Sequence, residues 1–452
     1  MAVPVHAPHR RSLFQHPARL ITGAFAGTIA AGTLLLMVPL AAEGPGGSSF
    51  GQAAFTATSA VTVTGLAVVD TPSHWSAFGT GVILFLIQLG GIGIMTLASL
   101  VLVGISGRVG LRQRLVAQQE VGVLTLGEVR SVVRAVLIIT AAVEAIVAIV
   151  LTTWFTTRYD ESFLDALWLG VFHAVSSFNN AGFALWSDSL VRFVSDPVVN
   201  VTVMVAIVLG GLGVPVLGEL FRDRLHWSRW TLHTKLVLTT SAGLLLAGWI
   251  LVCAFEWTNA ATMGPLSIPE SLLSGLFQSV TSRTAGFNTL DVGGMREATW
   301  LVTSALMFIG AAPASTAGGI KVTTFAMLGF VILSELRGDK DVTLFARRIP
   351  GVAQRQALAI ALIGVGVVFG ATLFITEVSG LGIGPILFEV TSAFGTVGLS
   401  TGITAGVTTA GQVMLVLIMF AGRVGPLTVG TALALRSRDR RFRLPEERPL
   451  IG

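Results

Sequence analysis

Arg283-Thr284-Ala285-Gly286-Phe287 sits within a long apolar stretch. It has three counterparts: Thr62-Val63-Thr64-Gly65-Leu66, Asn179-Asn180-Ala181-Gly182-Phe183 and Gly395-Thr396-Val397-Gly398-Leu399. Each is a short polar or small-residue segment that ends in glycine followed by Leu or Phe. Glycine reaches backbone conformations closed to other residues, which suits a turn that aims its carbonyl oxygens at a ligand. Four such turns around one axis predict a ring of carbonyls, the device by which a potassium filter replaces an ion's water shell.

The surrounding sequence supports membrane depth for these turns. Hydrophobic residues make up 53% of the 452 and charged residues only 12%, far from an ordinary soluble domain. Apolar runs long enough to cross a ~30 Å hydrocarbon layer as helices occur near 20–42, 76–103, 131–155, 197–220, 234–256, 299–333, 356–379 and 410–435. They predict an all-α integral membrane protein with eight spanning helices. The first run is longer than a usual signal core and leads into a turn that needs it, so it is expected to remain as a span.

A formal charge of +5 would suggest nucleic acid in a soluble chain, but here the positions of the cations decide. Arg10, Arg11 and Arg19 precede the first span; Arg108, Arg112, Arg114, Arg130 and Arg134 follow the second; Arg222, Arg224, Arg229 and Lys235 follow the fourth. Arg337, Lys340, Arg347, Arg348 and Arg355 follow the sixth, and Arg436, Arg438, Arg440, Arg441, Arg443 and Arg448 the eighth. In an eight-span chain these share one side, and the opposite side keeps only Arg158, Arg192 and Arg296. The positive-inside rule predicts cytoplasmic termini, and the basic excess reads as topology, with no nucleic acid expected. The single Cys253 excludes an internal disulfide.

Aligned on Gly65, Gly182, Gly286 and Gly398, the chain reads as four copies of one unit. The expected divisions are a tail at 1–18, pore units at 19–108, 109–224, 225–340 and 341–436, and a second tail at 437–452. Within each unit a spanning helix is followed by a segment near 50–61, 163–178, 269–282 or 384–394, then the glycine turn, then a second spanning helix. These segments are too short to cross a bilayer and predict re-entrant half-helices. Irregular backbone at membrane depth is tolerated where it lines a watery cavity, and a half-helix aiming its C-terminal end there favours a cation.

The sixth run departs from this plan. As one helix, residues 299–335 would be about 55 Å long. Its middle, Gly310-Ala311-Ala312-Pro313-Ala314-Ser315-Thr316-Ala317-Gly318-Gly319, combines proline, glycine and small hydroxyl residues that break a helix. It reads as a flexible loop beneath the turns that can obstruct or clear a pore, or as a kink that lets helices pack closely. Lys321 follows the break, and Arg423 interrupts the last apolar run. Such a cation usually faces the interior, so Arg423 reads as an electrostatic barrier in the pathway or as a cation snorkelling to the interface. Lys321 reads equally as part of that barrier or as a cap on the loop carbonyls. Arg283 is expected to anchor its turn from behind, since a cation facing the ion would repel it; Asn179 and Asn180 read as pins on the second turn through side-chain hydrogen bonds or as a turn preference alone. Gly90-Gly91-Ile92-Gly93 and Gly210-Gly211-Leu212-Gly213 lack the strand-turn-helix setting of a phosphate loop and read as packing glycines. The seven histidines show no metal-ligand spacing. Glu144, Glu219 and Glu389 read as helix anchors, and no catalytic constellation accompanies them.

The four turns, Pro313-Ala314-Ser315-Thr316-Ala317-Gly318-Gly319-Ile320-Lys321 and Gly422-Arg423-Val424-Gly425-Pro426-Leu427-Thr428 together resemble the superfamily of bacterial potassium transporters that includes KtrB and TrkH, with plant HKT relatives. Because the first unit starts without extra N-terminal spans, the chain is more similar to KtrB-type members. The resemblance implies a potassium filter on the four turns: Thr62, Val63, Thr64 and Gly65; Asn179, Asn180, Ala181 and Gly182; Arg283, Thr284, Ala285 and Gly286; Gly395, Thr396, Val397 and Gly398. Some sodium-conducting plant relatives carry serine at the first of the four glycines, where this chain has Gly65. It implies an intramembrane gate of Gly310, Pro313, Ser315, Thr316, Gly318, Gly319 and Lys321, with Arg423 as the pore arginine. It further implies a homodimer in a bacterial plasma membrane on an octameric KtrA-like nucleotide-binding ring, with ATP or ADP held by that partner and Na+ as an activator. The ending Leu444-Pro445-Glu446-Glu447-Arg448-Pro449-Leu450-Ile451-Gly452 resembles the family's tail near the dimer interface. Channel-like potassium uptake is the expected function, with a coupled Na+/K+ symporter as the rival reading and an intramembrane enzyme disfavoured.

Overall fold

The computed structural model describes residues 17–44, 46–107, 126–224 and 226–435. Both expected tails beyond these limits, the final nonapeptide and the cations between 108 and 125 lie outside the described residues.

The chain is mostly helical, and its long helices are apolar while its short ones carry hydroxyl and amide residues. The order is α1 (Pro17–Leu36), α2 (Phe50–Val61), α3 (Ala77–Gly107), α4 (Leu126–Arg158), α5 (Phe163–Phe178), α6 (Pro197–Leu212) and α7 (Val214–Asp223). There follow α8 (Leu232–Glu256), α9 (Ile268–Thr281), α10 (Glu297–Phe308), α11 (Val322–Arg337), the hairpin β1 (Thr343–Leu344) and β2 (Arg347–Arg348), α12 (Gly351–Ser379), α13 (Ile383–Gly395) and α14 (Thr409–Leu435). Among the described residues, three helices, Val133–Arg158, Leu232–Glu256 and Gly351–Ser379, are long and apolar enough to cross a membrane. The other expected spans are shorter or interrupted: α10 and α11 are separated by the 309–321 break, and the apolar parts of α1, α3 and α14 found among the described residues are Thr22–Leu36, Ala77–Gly93 and Thr409–Gly425.

The fourth expected span differs from its reading as one helix over 197–220. It ends at Leu212 and continues as α7 after a bend of 100°. At the bend Gly213 takes a left-handed φ of 79°, and Pro215 at the start of α7 has no N–H to continue the ladder.

The short helices α2, α5 and α9 begin at side-chain caps and α13 begins after Gly382 without one; all four run inward. Ser49 with Gln52 and Ser267 with Glu270 close capping boxes, and Ser162 accepts from the Asp165 amide, satisfying N–H groups the helix leaves free. The last turns of these helices are buried. Each packs against the long helix that precedes it, α1, α4, α8 or α12, and against a helix of a neighbouring set. Thus α3 meets α5, α6 meets α9, α10 meets α13, and α14 returns to α2. The succession closes on itself and leaves all four C-termini facing one axis. Aliphatic and aromatic side chains such as Ile149, Ile250, Leu362 and Phe369 remain exposed on the outer face, the surface a hydrocarbon solvent requires.

Candidate functional site

The four glycine turns cap the short helices and meet at the axis. Two residues in each turn occupy the left-handed region. They are Val63 and Gly65, Asn180 and Gly182, Thr284 and Gly286, and Thr396 and Gly398, with φ between 50° and 98°. A non-glycine residue in that region costs of order 1–3 kcal/mol, so each turn is held by its surroundings. The amide before the glycine bonds back into the helix: Thr64 N–H to Ser59 O, Ala181 to Ser176 and Val397 to Ser392, at 2.7–2.8 Å, and Ala285 to Thr281 at 2.9 Å. Hydroxyls add a second tie. Ser59 and Ser392 each accept from the following glycine amide at 3.0 Å, whereas Ser176 and Thr281 donate to Phe183 O and Phe287 O at 2.8 and 2.6 Å.

The glycines are required by their neighbours across the ring. A methyl group added at Gly65 would strike the carbonyl oxygen of Ala181, and one at Gly182 would lie 2.8 Å from that of Ala285. At Gly286 it would strike Val397 O, and at Gly398 Thr64 O. Each turn therefore abuts the carbonyl of the next, and the fourth abuts the first. On one side of this ring opens a cavity of about 260 Å³. The four glycines form its floor, and Asp70, Ser187, Ser189, Asn288 and Ser400 stand among its walls. Asp70 accepts a hydrogen bond from the Ser187 hydroxyl at 2.7 Å, which joins the segments after the first two turns.

The opposite side is occupied by residues 309–321. Gly310 N–H donates to Ile320 O at 2.7 Å and Val322 N–H to Ala311 O at 3.1 Å, which closes the neck of the loop. Ala312 and Thr316 N–H groups reach Gly211 O and Gly210 O on α6 at 3.0 and 3.3 Å. The tip packs against the ring itself, since a methyl at Gly318 would strike the Thr396 hydroxyl. Lys321 Nζ donates to Ala317 O and Gly318 O. Arg423, only 4% exposed, donates to Thr316 O and, at 3.3 Å, to Gly90 O on α3. It therefore faces the interior, against the snorkelling alternative, and Lys321 caps loop carbonyls. Neither cation has a carboxylate partner among the described residues.

Behind the turns the supports differ. Arg283 points away from the axis and donates to Ser241 O at 3.1 Å and Ser241 Oγ at 3.3 Å on α8. It borders a cavity of about 30 Å³. Asn179 reaches Gln88 and Glu144. With its amide oriented to match its neighbours, Asn180 donates to Ile207 O and Ser177 O and accepts from Thr284, tying the second turn to the third. Glu389 accepts from Ser400 and Thr404 behind the fourth turn.

Sequence reading missed two supports. The serines at positions 59, 176 and 392, six before a turn glycine, were visible as a shared offset. Gly90, Gly210 and Gly422 seat the helix carbonyls of Val61, Phe178 and Phe394, each four residues before a turn glycine, so closely that a methyl would strike them. In the sequence the first two read only as packing glycines.

The family described as "TrkH: Cation transport protein" matches residues 29–442. "Ktr system potassium uptake protein B" of Bacillus subtilis (strain 168) is 40% identical, over 96% of this chain and 97% of that protein. The protein of the same description from Vibrio alginolyticus is 35% identical, over 98% and 99%. "Potassium/sodium uptake protein NtpJ" of Enterococcus hirae is 33% identical, over 96% and 97%. Among solved structures, the potassium transporter TrkH from Vibrio parahaemolyticus superposes with a TM-score of 0.72 over 96% of this chain and 87% of that one. At 18% identity that likeness concerns the fold.

Proposed function

Because the chain belongs to the TrkH family of cation transport proteins, we propose that it is the ion-conducting membrane subunit of a potassium uptake system of the Ktr type. Four units of helix, half-helix, turn and helix surround one pore, with eight spans and both termini in the cytoplasm. The observation that carries this reading is the closed succession in which each turn glycine abuts the next turn's carbonyl. Carbonyl dipoles on a ring can replace the water lost by a desolvated cation, and the C-terminal ends of four half-helices add negative potential. Potassium is the preferred cargo because relatives covering nearly the whole chain are named for its uptake.

Residues 310–319, with Lys321 and Arg423, form the gate. The loop fills the space below the ring, and two cations hold it there by its carbonyls. The active form is a homodimer on a cytoplasmic nucleotide-binding ring, with ATP or ADP bound to that partner and Na+ as activator. This follows the family resemblance.

The test is potassium flux into proteoliposomes. Gly65→Ser places a side chain against Ala181 O and is expected to lower the preference for K+ over Na+, while larger residues abolish flux. An unchanged ratio in Gly65→Ser would remove the filter role from this position. A coupled Na+/K+ symporter is the second reading. It is favoured by the relative named for both ions and by Asn179 Oδ1, buried without a hydrogen-bond partner. Reversal potentials in two-ion gradients separate the two.

A further inference from the structure

Behind the second turn lies a polar cluster that the ring of carbonyls does not use. Asn179, fully buried, caps α5. Its Nδ2, which carries two hydrogens, lies within hydrogen-bond distance of three acceptors: Gln88 Oε1 on α3 at 2.8 Å, Glu144 Oε1 on α4 at 3.0 Å and Val175 O at 2.9 Å. Gln88 Nε2 donates to Glu144 Oε2 at 3.0 Å. Three elements distant in sequence thus converge on one carboxylate. Room for the Asn179 side chain exists because residue 91 is glycine: a methyl there would collide with the amide. No Lys or Arg forms an ion pair with Glu144 among the described residues.

The donor and acceptor pattern makes Glu144 irreplaceable by its own amide. Both carboxylate oxygens lie against amide NH2 groups, those of Gln88 and Asn179, and a carboxylate presents an acceptor to each. Suppose residue 144 were glutamine. Val175 O requires a nitrogen at the near atom of Asn179, which sets oxygen on the facing atom of Gln88 and nitrogen on its other. That nitrogen requires oxygen from residue 144, which leaves its NH2 group against the Asn179 NH2. That assignment sets two NH2 groups face to face where the carboxylate presents an acceptor. The third turn is supported by the opposite charge, Arg283 on Ser241.

We propose that Glu144 is a positioning residue for ion selection: through Gln88 and Asn179 it fixes the C-cap of α5, and with it the carbonyls of the second turn. This rests on the filter reading above.

The experiment measures K+ and Na+ uptake by the full-length protein in proteoliposomes for Glu144→Gln and Glu144→Asp, with Gly182→Ala as a reference for the turn itself. A mismatched buried hydrogen bond predicts for Glu144→Gln a rise of about tenfold in KM for K+ and a fall of similar size in the K+/Na+ ratio. Maximal flux should change less. Glu144→Asp retains both acceptors and should recover most of the ratio. If Gly182→Ala loses selectivity while Glu144→Gln keeps the wild-type ratio and KM, the proposal falls and the filter reading stands. If neither changes the ratio, both fall. A loss of maximal flux alone, with KM and ratio intact, would make Glu144 a structural strut and overturn its role in selection. Should Glu144→Gln fail to assemble, Gln88→Met cuts the cluster while leaving the carboxylate. An unchanged ratio and KM there would equally overturn the proposal.

Discussion

The two sides of the carbonyl ring are built from opposite materials. Above it lies open space of about 260 Å³ whose only charged lining residue is Asp70. Below it lies folded chain, residues 309–321, gripped by Lys321 and Arg423 with no carboxylate partner among the described residues. On the proposed function, a cation arriving from the open side meets room and a negative charge. Leaving by the other, it meets peptide and two positive charges. Capture and control are separated by the thickness of one turn, so changes below the ring should act on flux and regulation, whereas changes above it should act on apparent affinity.

The largest effect is expected where the chain itself obstructs the path. Ala314 has a left-handed φ of 57° and Gly319 one of 62°, so this segment can take up other arrangements at small cost. A ring subunit shifts its population only by binding the two arrangements differently. Removing Ala314 to Gly318 should raise potassium flux on the order of tenfold and make it indifferent to ATP or ADP on the partner. Wild-type flux with nucleotide control intact, in a shortened protein that remains dimeric, would leave the segment as a packing kink and erase the contrast between the two sides.

Arg423→Ala comes next. A unit charge at ~8 Å in a medium of effective dielectric ~20 repels a passing cation by about 2 kcal/mol. The same substitution releases Thr316 O and Gly90 O. Maximal flux should rise severalfold or nucleotide control should weaken, with KM little changed. Equal flux and regulation in a well-expressed variant would show that the lower cations only brace the loop.

What the sequence disclosed of this arrangement was local. Short helices lie at Phe50–Val61, Phe163–Phe178, Ile268–Thr281 and Ile383–Gly395, where segments near 50–61, 163–178, 269–282 and 384–394 are expected, because glycine and hydroxyl residues punctuate an otherwise apolar chain. The break after Phe308 was legible for the same reason. The bend at Gly213 was not: glycines 210, 211 and 213 signal close packing and a turn equally, and the choice depends on Pro313 O and Ala314 O pressing against Gly213 from the loop. Glu144 could be read only as an anchor, since its partners come from α3 and from the cap of α5, 56 and 35 residues away. The ring was legible as four similar turns. Its closure depends on contacts such as Gly398 against Thr64 O, which no local pattern carries.

The smallest effect is expected above the ring and is the sharpest check on the division between capture and control. Asp70 is exposed to the cavity and accepts from the Ser73 and Ser187 hydroxyls. A carboxylate ~8 Å from an ion in water contributes about 0.5 kcal/mol, roughly a twofold change in occupancy. Asp70→Asn keeps an acceptor for the serines and removes the charge. KM for K+ should therefore rise about twofold at low ionic strength, with maximal flux unchanged. At 1 M of an impermeant salt, where the Debye length falls to about 3 Å, variant and wild type should coincide. A fall in maximal flux that persists at high salt would mean that Asp70 acts by bracing the first two turns through Ser187, and the cavity above the ring would then be a structural rim with no part in ion capture.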